Sequence, residues 1–229
     1  MTTREDFLQR VRQAATADRR PGSSPPLPTR GQVGYQGAGA DLVARFRDEF
    51  LAAGGYPYLV PDHEAAVARL LDLVKSRSPR RVLLGHGTFL DALVLGERLR
   101  PLGVEITAVD TGTPQTNREA FFEAELGISG VDFLVAETGS LVLLARPEEP
   151  RSLSLLPPVH IALAERRQLL PDLFDLFDML ANQEKQEDVP LLPSCVSLIT
   201  GPSKTGDIEL RLVTGVHGPG ELHLILVNE

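Results

Sequence analysis

Apolar residues recur along this chain with helical spacing in some segments and in short unbroken runs in others. Near the amino terminus, one helical face carries Phe7, Leu8, Val11, Ala14 and Ala15. Thr2 and Glu5 have the spacing of a capping box, which predicts that a helix begins there. Prolines and glycines then crowd residues 20–40, where they disfavour regular structure. We therefore expect an N-terminal helix and a Pro/Gly-rich arm over residues 1–40, followed by one α/β domain over residues 41–229.

After the arm, helical stripes alternate with short apolar runs. Val43, Phe46 and Phe50 mark a helix that ends near residues 54–55, and further helices are predicted after the N-cap Asp62, from residue 88 to Leu99 and after Thr116. The predicted strands are Tyr56–Val60, Arg81–Leu84 and residues 104–109, 131–136, 141–145, 159–164, 195–200 and 222–227. Apolar runs separated by helices indicate an α/β fold whose mainly parallel sheet is flanked by helices and buried on both faces.

The composition narrows the function classes. The 31 acidic residues outnumber the 23 basic ones and give a net charge of −8, which disfavours binding to nucleic acid. Cys195 is the single cysteine, so this chain can form no internal disulfide and cannot supply the four thiolates of an iron–sulfur cluster. No apolar run approaches the roughly 20 residues that span a bilayer, and no signal peptide is evident. A cytoplasmic location is therefore expected.

Ligands of open parallel sheets bind beyond the carboxyl ends of the strands, so the loops that follow the predicted strands are the places to search. The first such loop carries Gly85, Gly87 and Thr88 around His86. Its glycines allow a phosphate or carboxylate to approach the backbone. It also begins like a dinucleotide fingerprint, with Asp110 after the next strand, but Leu90 replaces the third glycine. The alternative is a tight turn with Thr88 as a helix N-cap.

The second loop places Glu137 before Thr138, Gly139 and Ser140. A carboxylate at a strand end can act as a nucleophile, a general base or an acceptor for a substrate hydroxyl. The alternative is a hairpin turn in which Thr138 and Gly139 supply the turn geometry and Glu137 is solvated.

The third loop, residues 201–207, contains Ser203, Lys204, Thr205 and Asp207 between glycines. Hydroxyls, a lysine and accessible backbone predict an anion site, although the order does not match a P-loop. The alternative is that Asp207 caps a helix that begins at Ile208, with Lys204 exposed.

The fourth loop, residues 215–220, carries His217 and Gly218. A histidine in a glycine-rich loop titrates near neutral pH and can serve as an acid or a base. The alternative is a simple connector before the last strand, in which His223 is a hydrogen-bonded core residue. His217 and His223 lack the spacing of a zinc site, so no metal site is predicted.

Three of these segments together resemble the LUD-domain family, specifically its short LutC-like branch linked to lactate utilisation. They are VDFLVAETGSLVLL at residues 131–144, GPSKTGDIE at 201–209 and GVHGPGELH at 215–223. The resemblance implies a fold similar to that of ribose-5-phosphate isomerase, glucosamine-6-phosphate deaminase and CoA transferases. The family pattern commonly has threonine at Ser140, arginine at Lys204, alanine at Gly206 and arginine at Gly220. The missing cation at Gly220 removes a partner for a ligand carboxylate.

The resemblance implies an accessory subunit of an L-lactate-oxidising system. LutA-like and LutB-like iron–sulfur proteins are the expected partners, and they would carry the clusters because no cofactor is expected in this chain. Glu137, Lys204 and His217 would surround a small carboxylate or phosphate. The alternatives are a stand-alone isomerase, deaminase or acyl/CoA-transferase in which Glu137 is the base or nucleophile, and a module that senses a metabolite. The sequence leaves self-association open.

Overall fold

A computed structural model describes residues 3–17, 37–109, 118–146, 150–182, 185–186, 189–190, 193–208 and 211–229. Its contacts divide the chain into two units, Met1–Tyr35 and Gln36–Glu229. The helices are α1 Arg4–Ala17, α2 Leu42–Ala52, α3 His63–Arg77, α4 Thr88–Ala92, α5 Leu95–Leu99, α6 Arg118–Phe122, α7 Ser152–Leu155 and α8 Leu173–Ala181. Short 3-10 helices span Arg100–Leu102 and Arg166–Gln168. None of the described helices is long and apolar enough to cross a membrane.

The strands are β1 Tyr56–Val60, β2 Arg81–Leu84, β3 Glu105–Ala108, β4 Leu126–Ser129, β5 Phe133–Val135, β6 Ser140–Leu144, β7 Val159–Glu165, β8 Leu169–Leu170, β9 Lys185–Gln186, β10 Val189–Pro190, β11 Val196–Ile199, β12 Lys204–Ile208, β13 Arg211–Thr214 and β14 Glu221–Val227. Six of them form an all-parallel main sheet in the order β1-β14-β7-β4-β2-β3. The predicted α/β class with a parallel sheet is confirmed.

The first unit contains α1. This helix begins one residue later than predicted, because its capping box joins Thr3 and Asp6 and not Thr2 and Glu5. The Asp6 backbone N–H donates to Thr3 Oγ1 over 3.2 Å, and the Thr3 backbone N–H donates to Asp6 Oδ2 over 3.0 Å. Asp6 satisfies the box as well as a glutamate because its carboxylate reaches back to the same backbone donor.

Side chains of the main sheet alternate between two cores. In β14, Ile225 and Val227 pack with α3, α4 and α5 on one face, whereas Leu222, Leu224 and Leu226 pack with α2 on the other. Burial on both faces explains why this strand reads as an apolar run interrupted only by His223. Asp41 and Asp62 cap α2 and α3 by accepting the backbone N–H of Ala44 and Ala65, at 3.0 and 2.8 Å.

A second sheet, in the order β11-β6-β5-β8, covers the α2 face of the main sheet. The segments 131–136, 141–145 and 195–200 were predicted as strands of the parallel sheet, and this prediction is wrong. They form the antiparallel neighbours β5, β6 and β11. Their apolar runs are unbroken because the second sheet is also buried on both faces, with Leu134 and Leu141 toward α2 and Val135 and Val142 toward α8.

Three further elements differ from the sequence prediction. The strand β4, in the middle of the main sheet, was missed because Gly127 and Ser129 interrupt its apolar pattern. The predicted helix at Ile208 is wrong, since β12 and β13 pair as an antiparallel hairpin with Asp207 in the first strand. The helix predicted as far as Leu99 is broken at Val94, whose φ is +50°.

Candidate functional site

The turn at residues 137–140 joins the antiparallel strands β5 and β6, so the hairpin-turn alternative describes its backbone correctly. Gly139 has a φ of +61°, and a Cβ on it would lie 2.4 Å from the backbone nitrogen of Phe50 in α2. Only glycine fits this close approach. The hydroxyls of Thr138, Ser140 and Thr200 form a chain, with Oγ–Oγ distances of 2.7 and 2.6 Å. This chain ties the turn to the end of β11.

Glu137 is half-buried in this turn, and a backbone hydrogen bond fixes its place. Its N–H donates to the carbonyl oxygen of Pro171 over 3.0 Å. The carboxylate forms no hydrogen bond or ion pair with any residue that the structure describes. A carboxylate in such a position is available to a ligand.

The loops at 201–204 and 215–220 pack against each other. The Ser203 N–H donates to the Pro219 carbonyl over 2.8 Å, and the Gly215 N–H donates to the Ser203 carbonyl over 3.0 Å. A Cβ on Gly218 would lie 3.3 Å from the Cβ of Ser203. His217 is exposed at the tip of its loop. The two loops therefore form one surface.

Lys204 has a structural contact. Its Nζ donates to the carbonyl oxygen of Ala53 over 2.5 Å, at the carboxyl end of α2. Carbonyls at this end of a helix lack intrahelical partners and attract cations. Thr205, half-buried, and Asp207 follow in β12. An ammonium group has three donors, so the contact with Ala53 leaves donors for an anion.

We call residues 137–140, 200–206 and 215–220 the amino-edge cluster. The last loop precedes β14, and the Gly220 N–H donates to the Pro158 carbonyl just before β7. The cluster therefore lies at the amino-terminal edge of the parallel sheet. Hydrogen bonds join the turn to Thr200 and the 201–204 loop to the 215–220 loop, while the convergence of Glu137, Lys204 and His217 on one pocket stays a prediction. The expected location beyond the carboxyl ends of the parallel sheet is wrong. The reason is the second sheet: its strand β5 leads from the carboxyl edge of the main sheet to the amino edge, and Glu137 follows it there.

Gly85, Gly87 and Thr88 lie at the other edge, after the carboxyl end of β2. Gly87 precedes α4 with a φ of +139°, and no side chain caps the helix. Thr88 is the first helical residue, so its proposed role as an N-cap is wrong. Instead, the Asp91 carboxylate accepts the Gly87 N–H and contacts the Nδ1 of His86, both at 3.3 Å. Asp110 lies outside the described residues.

A cleft of about 630 Å³, which we call the carboxyl-edge cleft, lies between this loop and the ends of β4, β6 and β7. Gly87 and Thr88 line it, and Gly85 lines a neighbouring cavity of about 510 Å³. The charged residues around the cleft are Asp91, Asp132, Arg146, Glu165 and Arg167. Sequence reasoning missed Asp132 because β4 was not recognised. Glu165 carried a usable signal, since it directly follows a predicted strand, as Glu137 does.

A buried histidine lies between the two sheets. Ser129 Oγ donates to the Gly130 carbonyl over 2.7 Å, and His160 Nε2 lies 2.8 Å from the same hydroxyl. Its Nδ1 has no partner among the described atoms. Burial, together with the charge of His223 to a smaller extent, lowers the pKa of His160 from 6.5 to about 4. His160 is therefore neutral at pH 7.

His223 is also a core residue, as its alternative predicted. It is 1% exposed, stacks on Tyr56 with ring centroids 4.8 Å apart, and contacts the hydroxyl of Tyr58 at 3.2 Å. Burial lowers its pKa, while the hydrogen bond with Glu221 opposes this shift. Among the described residues, no group of three or more His, Cys, Asp or Glu side chains converges to hold a metal ion.

Comparisons with known proteins identify relatives over most of the chain. Residues 43–227 match the model of the LUD domain. The chain is 33% identical to lactate utilization protein C of Geobacillus kaustophilus over 83% of its own length and 70% of the relative's. It is 30% identical to lactate utilization protein C of an Exiguobacterium strain, over 100% and 97% of the two chains.

Two further relatives bear on the fold and the family. The uncharacterized protein YkgG of Escherichia coli is 32% identical over 75% of this chain and 72% of its own length. A crystal structure of a DUF162 family protein from Deinococcus radiodurans superposes with a TM-score of 0.53 at 22% identity, covering 81% of this chain and 96% of that one. The structural likeness supports the fold alone. Because the matched domain model covers most of the described unit 36–229 and the motifs lie within it, the chain belongs to the LUD domain family.

Proposed function

We propose that this chain is an accessory subunit of a system that oxidises L-lactate to pyruvate. The observation that carries the proposal is the similarity to lactate utilization protein C from two genera, which in one case extends over the full length of this chain. One cysteine cannot hold an iron–sulfur cluster, so electrons would pass to clusters on LutA-like and LutB-like partners.

In this proposal the amino-edge cluster binds a small anionic metabolite. The carboxylate of Glu137 would accept a ligand hydroxyl, because it has no partner among the described residues. Lys204 would supply a positive charge from its remaining N–H groups, and His217 is exposed close to Ser203 and Gly218.

The test is growth on L-lactate as sole carbon source, in a strain that lacks its own lactate utilization protein C but retains the partner genes. We expect this chain to restore growth, whereas an empty vector does not. Equal growth of both strains on glucose controls for general fitness. Normal accumulation of the protein without restored growth on lactate contradicts the proposal.

A second candidate is a stand-alone enzyme of isomerase, deaminase or acyl/CoA-transferase type. The unpartnered carboxylate of Glu137 favours it, since a nucleophile or general base must be free to reach its substrate. Turnover of a sugar phosphate or an acyl-CoA by the purified chain alone would replace the accessory role with this one.

A further inference from the structure

The strand order of the main sheet reverses between the neighbouring strands β2 and β4. The next strand of this sheet along the chain after β2 is β3, at one edge, whereas the next one after β4 is β7, on the other side. The helices after β2 pack in the core that contains α3, whereas the strands after β4 pack in the core that contains α2. The two loops therefore diverge to opposite faces of the sheet. The crevice between such loops is where open parallel sheets bind ligands.

The carboxyl-edge cleft lies at this point. The Gly85 N–H donates to the Ile128 carbonyl over 2.9 Å, which joins the bases of the two loops. One wall is formed by residues 86–91, another by residues 130–132, and the end of β7 adds Glu165 and Arg167. A Cβ on Gly87 would meet no atom within 4 Å, so its backbone faces open space. The volume of about 630 Å³ is typical of small-molecule sites.

Two of the three acids of the cleft are buried beside exposed arginines, whereas the third, Asp91, is 59% exposed on the opposite wall. The side chains of Asp132 and Glu165 are 11% and 15% exposed, whereas those of Arg146 and Arg167 are 47% and 73% exposed. Asp132 is held by the Leu144 N–H at 2.6 Å and by its ion pair with Arg146. Glu165 is held by Arg167 and by the Nε2 of His63 at 3.4 Å. The buried carboxylates thus anchor two guanidinium groups at the solvent side of the cleft.

We infer that the carboxyl-edge cleft binds a small organic anion that also carries a hydroxyl group. Arg146 and Arg167 would contact its carboxylate or phosphate, because a guanidinium has five N–H donors and matches both groups. His86 and Thr88 on the opposite wall would contact the hydroxyl. This site lies at the opposite edge of the sheet from the amino-edge cluster, and it does not depend on the lactate proposal.

The test is calorimetric titration of the purified full chain with L-lactate in one arm and glycerol 3-phosphate in the other, at constant ionic strength. Both probes carry a hydroxyl and they differ in the anionic group. The cleft variants are Arg167→Ala, which removes an exposed cation, and Arg146→Lys, which keeps the charge beside Asp132 but loses the planar fork. Arg47→Ala is the matched control, because Arg47 is a similarly exposed arginine that pairs with Asp48 on α2.

We expect saturable binding in at least one arm, with a Kd about tenfold higher in each cleft variant and unchanged in the control. Binding of glycerol 3-phosphate alone identifies a phosphate ester as the ligand class, and binding of L-lactate alone identifies a carboxylate. The inference is overturned if neither probe binds, if both cleft variants bind like the wild type, or if Arg47→Ala weakens binding equally. Thermal unfolding of each variant verifies its fold. Growth on lactate is a separate readout, so failure of this site and failure of the proposed function are distinguishable.

Discussion

At the scale of single residues, Glu137 is half-buried and its carboxylate contacts no described residue through a hydrogen bond or ion pair. We predict that Glu137→Gln abolishes or sharply weakens growth on L-lactate while the fold stays nearly intact. The change keeps the shape and removes the charge, so the free energy of unfolding should fall by less than about 1 kcal/mol. Thermal unfolding and growth of the complemented strain measure the two effects.

Glu119→Gln is a suitable comparison for Glu137→Gln, since it neutralises an exposed carboxylate outside the amino-edge cluster. Normal growth of the Glu137→Gln strain would make this glutamate an ordinary turn residue. A collapsed melting temperature would instead assign it a structural role, because breaking a buried charge interaction costs about 3–5 kcal/mol.

The neighbouring Gly139 serves the packing of the turn. A Cβ at this position would lie 2.4 Å from the Phe50 nitrogen, and its φ of +61° disfavours other residues. We predict that Gly139→Ala lowers the free energy of unfolding by about 2 kcal/mol or more. Gly96→Ala is the control, because a Cβ there meets no atom within 4 Å. Urea unfolding of both variants measures the difference, and equal stabilities would show that the close approach relaxes without cost.

The buried His160 predicts a pH dependence of stability. Its pKa is about 4 in the folded chain and 6.5 in the unfolded one, so the unfolded chain binds the extra proton between these values. The contribution of neutral His160 to the free energy of unfolding is therefore complete above pH 6.5. It is lost as the pH decreases toward 4, which lowers the free energy of unfolding by about 3 kcal/mol.

Urea unfolding at pH 7 and pH 4.5 tests this expectation in the wild type and in His160→Gln, whose amide can still reach Ser129. The loss of stability between the two pH values should be smaller in the variant. His217→Gln is the control, because His217 is exposed. Parallel losses in all three proteins would assign the acid sensitivity to other groups.

At the scale of elements, the break between α4 and α5 has a clear cause. Leu90, Leu93, Leu95 and Leu99 are all buried in one core cluster. A continuous helix would turn Leu90 and Leu95 about 140° apart, at 100° per residue, and so could not bury both on one face. The left-handed residue Val94 redirects the chain, which brings both leucines to the core. The sequence prediction of one helix overlooked this change of phase.

Val94 adopts this conformation at a cost, since a β-branched side chain disfavours positive φ. Its side chain is 47% exposed and contributes little packing. We predict that Val94→Gly raises the free energy of unfolding by about 0.5–1 kcal/mol. Val94→Ala shortens the same side chain but retains the strain, so it should gain nothing. Chemical denaturation compares them, and an equal gain in both variants would contradict a backbone origin.

At the scale of the whole molecule, the single cysteine makes a prediction about redox chemistry. Purified protein should lack visible absorbance and contain no stoichiometric iron, because one thiolate cannot hold a cluster. Absorbance between 300 and 700 nm and iron analysis test this, with a LutB-like partner purified in parallel as the positive control. About one iron or more per chain would overturn the prediction and place electron transfer in this subunit.

The sequence by itself determined the features that depend on neighbours along the chain. The cap Asp62, the strand Tyr56–Val60 and the buried pattern of β14 were readable because capping and burial act over a few residues. The family was also readable, since three motifs in order resemble those of LUD-domain proteins and the domain model matches residues 43–227.

Only the tertiary structure decided which strands pair and at which edge each motif lies. A run buried on both faces has the same pattern in a parallel or an antiparallel sheet, so the pattern could not separate β5, β6 and β11 from the main sheet. Strand direction depends on pairing between residues far apart in sequence, such as Ser140 beside Thr200 or Gly85 beside Ile128. For the same reason Asp132, Arg146 and Glu165 come together only when three strands end at one edge of the fold.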